Sequence, residues 1–322
     1  AVTAIVPGGF WHDFLIGDYG VLSLGLANAL LTVLPILSVF FLLFNTLEDI
    51  GYIPNLSVMS KRLLGKIGLS GNAIMPLVLG FGCKTMATLT TRSLSSRKER
   101  VIAVYLIAFA IPCAAQMGLN MSILGSIGTG AFLIAFLVLT VMELTAGVTL
   151  NKLLKDQEVK ESFLLELPPI RMPNVRAVVK KTYYRLYMFL RESLMVFIYA
   201  ALALFTIDRL GILDAIKNVS APVIQGFLGL PLDMTDAIIL CLARHEAAAA
   251  LIIDLIRKGQ MNYVQCIVAV VLTTMFVPCF ANIMAMIKEI GAKNALAMVL
   301  VINISAVIVA GALNWSLIIL FS

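Results

Sequence analysis

The sequence is short of charge. Asp, Glu, Lys and Arg make up 13% of its 322 residues, against roughly 25% in ordinary soluble domains. Hydrophobic residues fill the gap at 61%, with a mean hydropathy of +0.99, so a soluble globular protein is excluded. Cysteine is sparse and odd in number. The five thiols lie mostly inside apolar stretches, which argues against a secreted disulfide framework. Basic residues exceed acidic ones, 24 to 18. They sit in short loops rather than across one face, a pattern that speaks against nucleic-acid binding and fits cytoplasmic loops of a membrane protein. The chain opens on Ala1 rather than Met, without a basic leader or cleavage site, so a processed product or a piece of a longer protein is expected.

What the chain has instead is long apolar runs. A helix needs about 20 apolar residues to cross a bilayer. Residues 19–47, 259–287 and 294–322 are each uncharged for 29 residues, enough for one tilted span apiece. The 42-residue run 101–142 must fold as two spans, with a turn expected between Gln116 and Gly130 among Asn120, Ser122, Gly125, Ser126 and Gly128. Residues 193–207 are uncharged for only 15, but Tyr183, Tyr184, Tyr187 and Phe189 extend them in an interfacial pattern. Six spans result. Two more segments are apolar but damaged: 71–91, with Gly71, Pro76, Gly80, Gly82 and Lys84, and 237–256, with Arg244, His245, Glu246 and Asp254. Polar or irregular backbone survives at membrane depth only where protein or a water-filled cavity surrounds it. Both segments are therefore expected to be broken or re-entrant.

The halves repeat. Each reads as a span, a damaged segment and two further spans, and each third element carries a similar hexapeptide. These are Ile111-Pro112-Cys113-Ala114-Ala115-Gln116 and Val277-Pro278-Cys279-Phe280-Ala281-Asn282. Loop charge gives the two halves opposite orientations, the usual build of secondary transporters. The fold expected is an all-α polytopic membrane protein with two inverted repeats containing broken or re-entrant helices. Its parts would be an extracytoplasmic segment 1–19, a first repeat 20–149, a basic linker 150–192 with nine Lys/Arg, and a second repeat 193–322.

Each Pro-Cys pair offers chemistry. A proline within a helix frees a carbonyl four residues earlier. Cys113 and Cys279 are soft ligands and the amides of Gln116 and Asn282 hard ones, together a mixed set suited to a first-row divalent metal. The competing reading is a packing kink with a small buried thiol. Gly80-Phe81-Gly82-Cys83-Lys84-Thr85 is not a phosphate loop, because Cys83 stands before the lysine and no Walker A motif occurs. Its glycines permit a break with exposed carbonyls, and Cys83 and Met86 add soft donors, or else it is a close helix contact. In the second damaged segment His245 could bind metal or carry a proton and Glu246 could neutralise Arg244; an Arg–Glu pair that only fastens helices is the alternative. Glu48-Asp49, at a span end, reads as a solvated cap. His12 lies outside the spans, and Cys241 and Cys266 read as packing.

Several of these stretches resemble a known family together. Leu47-Glu48-Asp49-Ile50-Gly51-Tyr52, Gly80-Phe81-Gly82-Cys83, Arg92-Ser93-Leu94, Pro112-Cys113, and Phe276-Val277-Pro278-Cys279 running into Met286-Ile287-Lys288-Glu289 resemble the membrane region of the ferrous iron transport protein B (FeoB) family. Order and rough spacing match over about residues 20–310. The resemblance implies two gate repeats, a multi-pass protein of a prokaryotic inner membrane, and import of Fe2+ as transported substrate with no permanently bound cofactor. It implies that Cys83, Cys113 and Cys279 line the path. It also implies an amino-terminal GTP-binding domain as partner, absent from these residues, so that this chain is a permease rather than an enzyme; a homo-oligomer is compatible with it. Three departures touch the coordination: Lys84-Thr85-Met86 stands where Asn-Val-Pro is common, Cys241-Leu242-Ala243-Arg244-His245-Glu246 where Gly-Phe-Leu-Arg-Arg-Asp is common, and Gln116 where Arg is common. Alternatives are a gate-type carrier of a nucleoside or other small solute, and a non-transporting membrane scaffold docking a partner on the basic linker.

Overall fold

The computed structural model describes residue 31 and residues 34–154, 172–209, 220–243, 245–276 and 279–321; within 192–209 and 242–250 it describes the backbone and few side chains. The expected segment 1–19 and the centre of the linker, 155–171, lie outside the described residues. Those described are helical, and no strand occurs among them.

The helices are α1 (Leu34–Asp49), α2 (Tyr52–Lys66), α3 (Ile74–Gly80), α4 (Lys84–Thr90), α5 (Arg97–Phe109), α6 (Ala114–Ile127), α7 (Thr129–Leu153), α8 (Val175–Arg209), α9 (Met234–Ala243), α10 (His245–Arg257), α11 (Tyr263–Met275), α12 (Phe280–Ile290) and α13 (Ala292–Phe321). They form two compact units, one of α1 and α8, the other of α2–α7 with α9–α13.

In the first unit α1 packs along α8. The Asn45 amide donates to Thr182 Oγ1 at 2.9 Å, and Arg185 donates to Asn45 and to Glu48 Oε2, the latter at 3.0 Å. The Arg185 guanidinium also lies 5.4 Å from the Phe44 ring centroid. Glu48, expected as a solvated cap, instead pairs with both Arg185 and Lys181. Asp49 accepts the Asn174 N–H at 2.7 Å. Glu48 is thus held by cations of the neighbouring helix and Asp49 by a backbone N–H.

Among the described residues of the second unit, four elements are long and apolar enough to cross a membrane: Arg97–Gly125, Thr129–Leu153, Tyr263–Ile290 and Ala292–Ile319. Two are interior. The most apolar windows of Arg97–Gly125 and Tyr263–Ile290 are 72% and 75% buried, against 22% for Thr129–Leu153 and 33% for Ala292–Ile319. Composition explains the division. Ile102–Phe109 and Cys266–Met275 are apolar or threonine on every side, and a helix without a polar face belongs in the interior.

Each interior span is interrupted, one within the stretch 109–114 and the other within 275–280. The helix stops at Phe109 and restarts at Ala114, and stops again at Met275 to restart at Phe280. The Pro-Cys hexapeptides, expected in mid-span, lie at interruptions of the helix. Pro112 offers no N–H, and the residue before a proline is driven towards extended backbone, so the chain leaves the helix altogether. The segment 71–91 is a broken pair, α3 and α4, packed on each other and interrupted at Phe81–Cys83. Segment 237–256 makes the matching pair α9 and α10, packed on each other. Gly128, with φ 136°, makes the turn between α6 and α7 within the window expected for it.

The packing of one repeat mirrors the other. α12 lies against α4 as α6 lies against α10; α11 lies against α7 as α5 lies against α13; α6 touches α11 as α12 touches α5. Contacts that exchange in this way are what a pseudo-twofold relation between repeats requires.

Candidate functional site

The helix breaks meet in the second unit. At the first, the Phe81–Cys83 turn leaves Cys83 extended as the residue that starts α4. At the second, Cys113 starts α6 in a reciprocal cap: its thiol accepts the Gln116 backbone N–H, while Gln116 Oε1 accepts the Cys113 N–H at 3.2 Å. The two breaks are joined directly, since Ala114 N donates to Gly82 O at 3.2 Å. The third break brings Cys279, whose Sγ lies 3.9 Å from Thr85 Oγ1. Cys113 and Cys279 both lie within electrostatic reach of Cys83.

Amides and threonines fasten the breaks across the repeats. Thr88 donates to Asn282 Oδ1 at 2.8 Å. The other arm of Gln116, Nε2, donates to Thr273 O at 3.0 Å, and Asn120 donates to Thr274 Oγ1 at 3.2 Å. Gln116, Asn120 and Asn282 are all buried, and each is held by these bonds. A buried amide left without partners would cost more than most hydrogen bonds contribute, so the pairing fixes the helix ends.

The three break thiols differ from the other two. Cys83, Cys113 and Cys279 are half-buried, whereas Cys241 and Cys266 are buried, and none of the five forms a disulfide. Met86 is half-buried on α4. His245 and Glu246 begin α10, but their side chains lie outside the described residues, as does Arg244 entirely. Among the described residues no three His, Cys, Asp or Glu side chains converge closely enough to hold a metal ion. The structure therefore gathers Cys83, Cys113, Cys279, Gln116 and Asn282 into one region without forming a closed metal cage.

Two charged residues lie here: Lys84, part of the 80–85 motif but given no role in it, and Glu143, which no motif contains. Lys84 is 2% exposed, and its ammonium reaches Ala108 O at 3.4 Å and Thr274 O at 3.5 Å. Those carbonyls lie four residues before Pro112 and Pro278. They are the ones the prolines free. Glu143, on α7, accepts the Ala110 N–H and lies within electrostatic reach of Lys84, while its Oε2 is buried with no hydrogen-bond partner. At the border of the site Arg92 Nε lies 2.5 Å from Glu289 Oε1, joining two of the stretches that carry the family resemblance.

Helix breaks of two related repeats, meeting inside a bundle of apolar spans, define a polytopic α-helical membrane protein of the broken-helix class. Sequence comparisons make this specific. A gate family model, described as nucleoside recognition, matches residues 30–127 and 190–293, well over half of the chain. A second, described as ferrous iron transport protein B C terminus, matches residues 131–185. The Fe(2+) transporter FeoB of Methanocaldococcus jannaschii is 27% identical over 57% of this chain and 28% of its own length. That of Helicobacter pylori is 30% identical over 56% of this chain and 28% of its own, and that of Synechocystis 31% over 47% and 25%. The chain belongs to the ferrous iron transport protein B family, with two gate segments. It spans about a quarter of the length of these curated relatives. No solved structure gives a significant match.

Proposed function

We propose that this chain is the membrane path of a ferrous iron transporter, moving Fe2+ across the inner membrane into a prokaryotic cell. The observation that carries the reading is the joining of three helix breaks, each ending in a half-buried thiol, Cys83, Cys113 or Cys279, with two proline-freed backbone carbonyls in the same region. Thiol and carbonyl donors suit a first-row divalent ion, although affinity alone would favour Cu2+ and Zn2+ over Fe2+. A dispersed donor set favours release as much as entry, which transport needs. Selection of Fe2+ then rests on geometry, labile ligands and metal availability. Movement of one repeat against the other would open the site alternately to each side. The GTP-binding domain implied by the resemblance would act as partner to this core, and the chain itself would work as a permease.

A nucleoside cargo is the second reading, favoured by the description of the gate model. The amides that would read a base are already engaged: Gln116 with Thr273, Asn120 with Thr274 and Asn282 with Thr88. Anaerobic proteoliposomes containing the full chain and an internal iron-quenched fluorophore separate the two. Fe2+ influx without uptake of labelled nucleoside is expected; nucleoside uptake without iron influx would overturn the iron reading.

A further inference from the structure

Lys84 occupies a position with an unusual supply of negative potential. A helix carbonyl left without its N–H partner is an exposed dipole in a medium that screens poorly. Two such carbonyls, Ala108 O and Thr274 O, come from equivalent places in the two repeats, and both face the same ammonium. The Glu143 carboxyl lies within electrostatic reach, with one oxygen buried and unpartnered. No Lys84–Glu143 ion pair closes within the described structure, so the carboxylate supplies field without contact. Two carbonyls and a distant carboxylate are what a dehydrated cation needs, whether it is tethered or free.

We propose that Lys84 is a resident cation: its ammonium fills the carbonyl pair at the centre of the site, and a divalent ion entering there must displace it. This rests on the iron-path reading above and deepens it by naming a residue that sets how tightly the cargo is held. The Cys113 and Cys279 thiols lie within electrostatic reach of the ammonium, so swinging the Lys84 side chain away leaves hard carbonyl donors with soft thiols nearby. A tethered competitor lowers occupancy without lowering selectivity, because it opposes every divalent ion by the same charge. It also keeps the site neutralised when no cargo is present, sparing the bundle an uncompensated cluster of oxygens.

The test is anaerobic Fe2+ binding to the purified full chain in detergent, by titration calorimetry, for wild type, Lys84→Met and Lys84→Gln. Lys84→Met keeps the side-chain length and removes the charge; Lys84→Gln keeps a donor without charge. Gel filtration and thermal melting confirm that each variant is folded, and the milder Gln change keeps the test open if Met does not fold. Removal of a competing unit charge predicts binding at least about tenfold tighter in both variants. Unchanged or weaker affinity in a folded variant, with measurable binding by wild type, would overturn the resident cation while leaving the iron path standing. Tighter binding by Met but not by Gln would also overturn it, since hydrogen bonding and not charge would then be the competitor. Absence of Fe2+ binding in wild type and in both folded variants would overturn the inference together with the iron-path reading.

Discussion

Thr88 donates its hydroxyl to Asn282 Oδ1 at 2.8 Å, tying the broken helix pair of the first repeat to the post-break helix of the second. Both residues are fully buried. Thr88→Val keeps the shape and leaves Asn282 Oδ1 short of its donor, which costs about 1–3 kcal/mol. A lowered melting temperature in detergent is expected for Thr88→Val and a near-normal one for Thr88→Ser. Equal melting of all three proteins would show that the bond does not fasten the repeats.

Glycine at 71 is required by close approach. A Cβ there would lie 2.6 Å from Ser57 O, a backbone atom that cannot swing aside, and Ser57 already donates to Gly71 O at 2.5 Å. At Gly80 the nearest atom to an added Cβ is Ile111 Cγ2 at 3.3 Å, a side-chain methyl that need give only a few tenths of an ångström. Gly71→Ala is expected to destabilise by about 1–3 kcal/mol, as overpacking does, and Gly80→Ala by clearly less. Thermal unfolding of the two variants checks the order, and a reversed order contradicts it.

Arg185 serves three partners in the first unit: Asn45, Glu48 and the Phe44 ring. A lysine can keep the charge but not the planar fork or the stacking. Arg185→Lys is expected to cost about 1 kcal/mol and Arg185→Leu more, discounted because the group is partly exposed. Wild-type stability in Arg185→Leu would mean that these contacts contribute nothing.

The places where the helices depart from regularity were legible in the sequence because glycine and proline act locally, though the full interruptions at the Pro-Cys stretches were not. Pro112 and Pro278 signal lost hydrogen bonds by identity, and Gly80 and Gly82 mark the turn before Cys83. The all-α membrane class followed from charge-free runs alone, and the hexapeptide pair exposed the repeat. The destination of Lys84 was not legible. Its carbonyl partners lie 24 and 190 residues away, and no periodicity or motif reports a contact set by how two repeats pack. Glu143 escaped for a related reason, since one acid at the edge of an apolar run looks the same whether it meets water or a buried lysine. Glu48 read as solvent-facing because its cations, Lys181 and Arg185, come from a distant helix.

Thiol exposure separates the cysteines. Cys83, Cys113 and Cys279 are half-buried, and Cys266 and Cys241 are 2% and 1% exposed. A small methanethiosulfonate reagent is expected to modify the first three faster, and Fe2+ to slow that modification. Faster labelling of Cys241 or Cys266, or no protection by Fe2+, would contradict the assignment of the path.

The most direct measurement is anaerobic Fe2+ influx into proteoliposomes bearing wild-type chain, Cys113→Ser, Cys279→Ser and the double variant, each reconstituted to equal density. A path through the break thiols predicts lowered influx in each single variant and at least about a tenfold loss in the double. Wild-type influx in a folded double variant would contradict transport through these thiols.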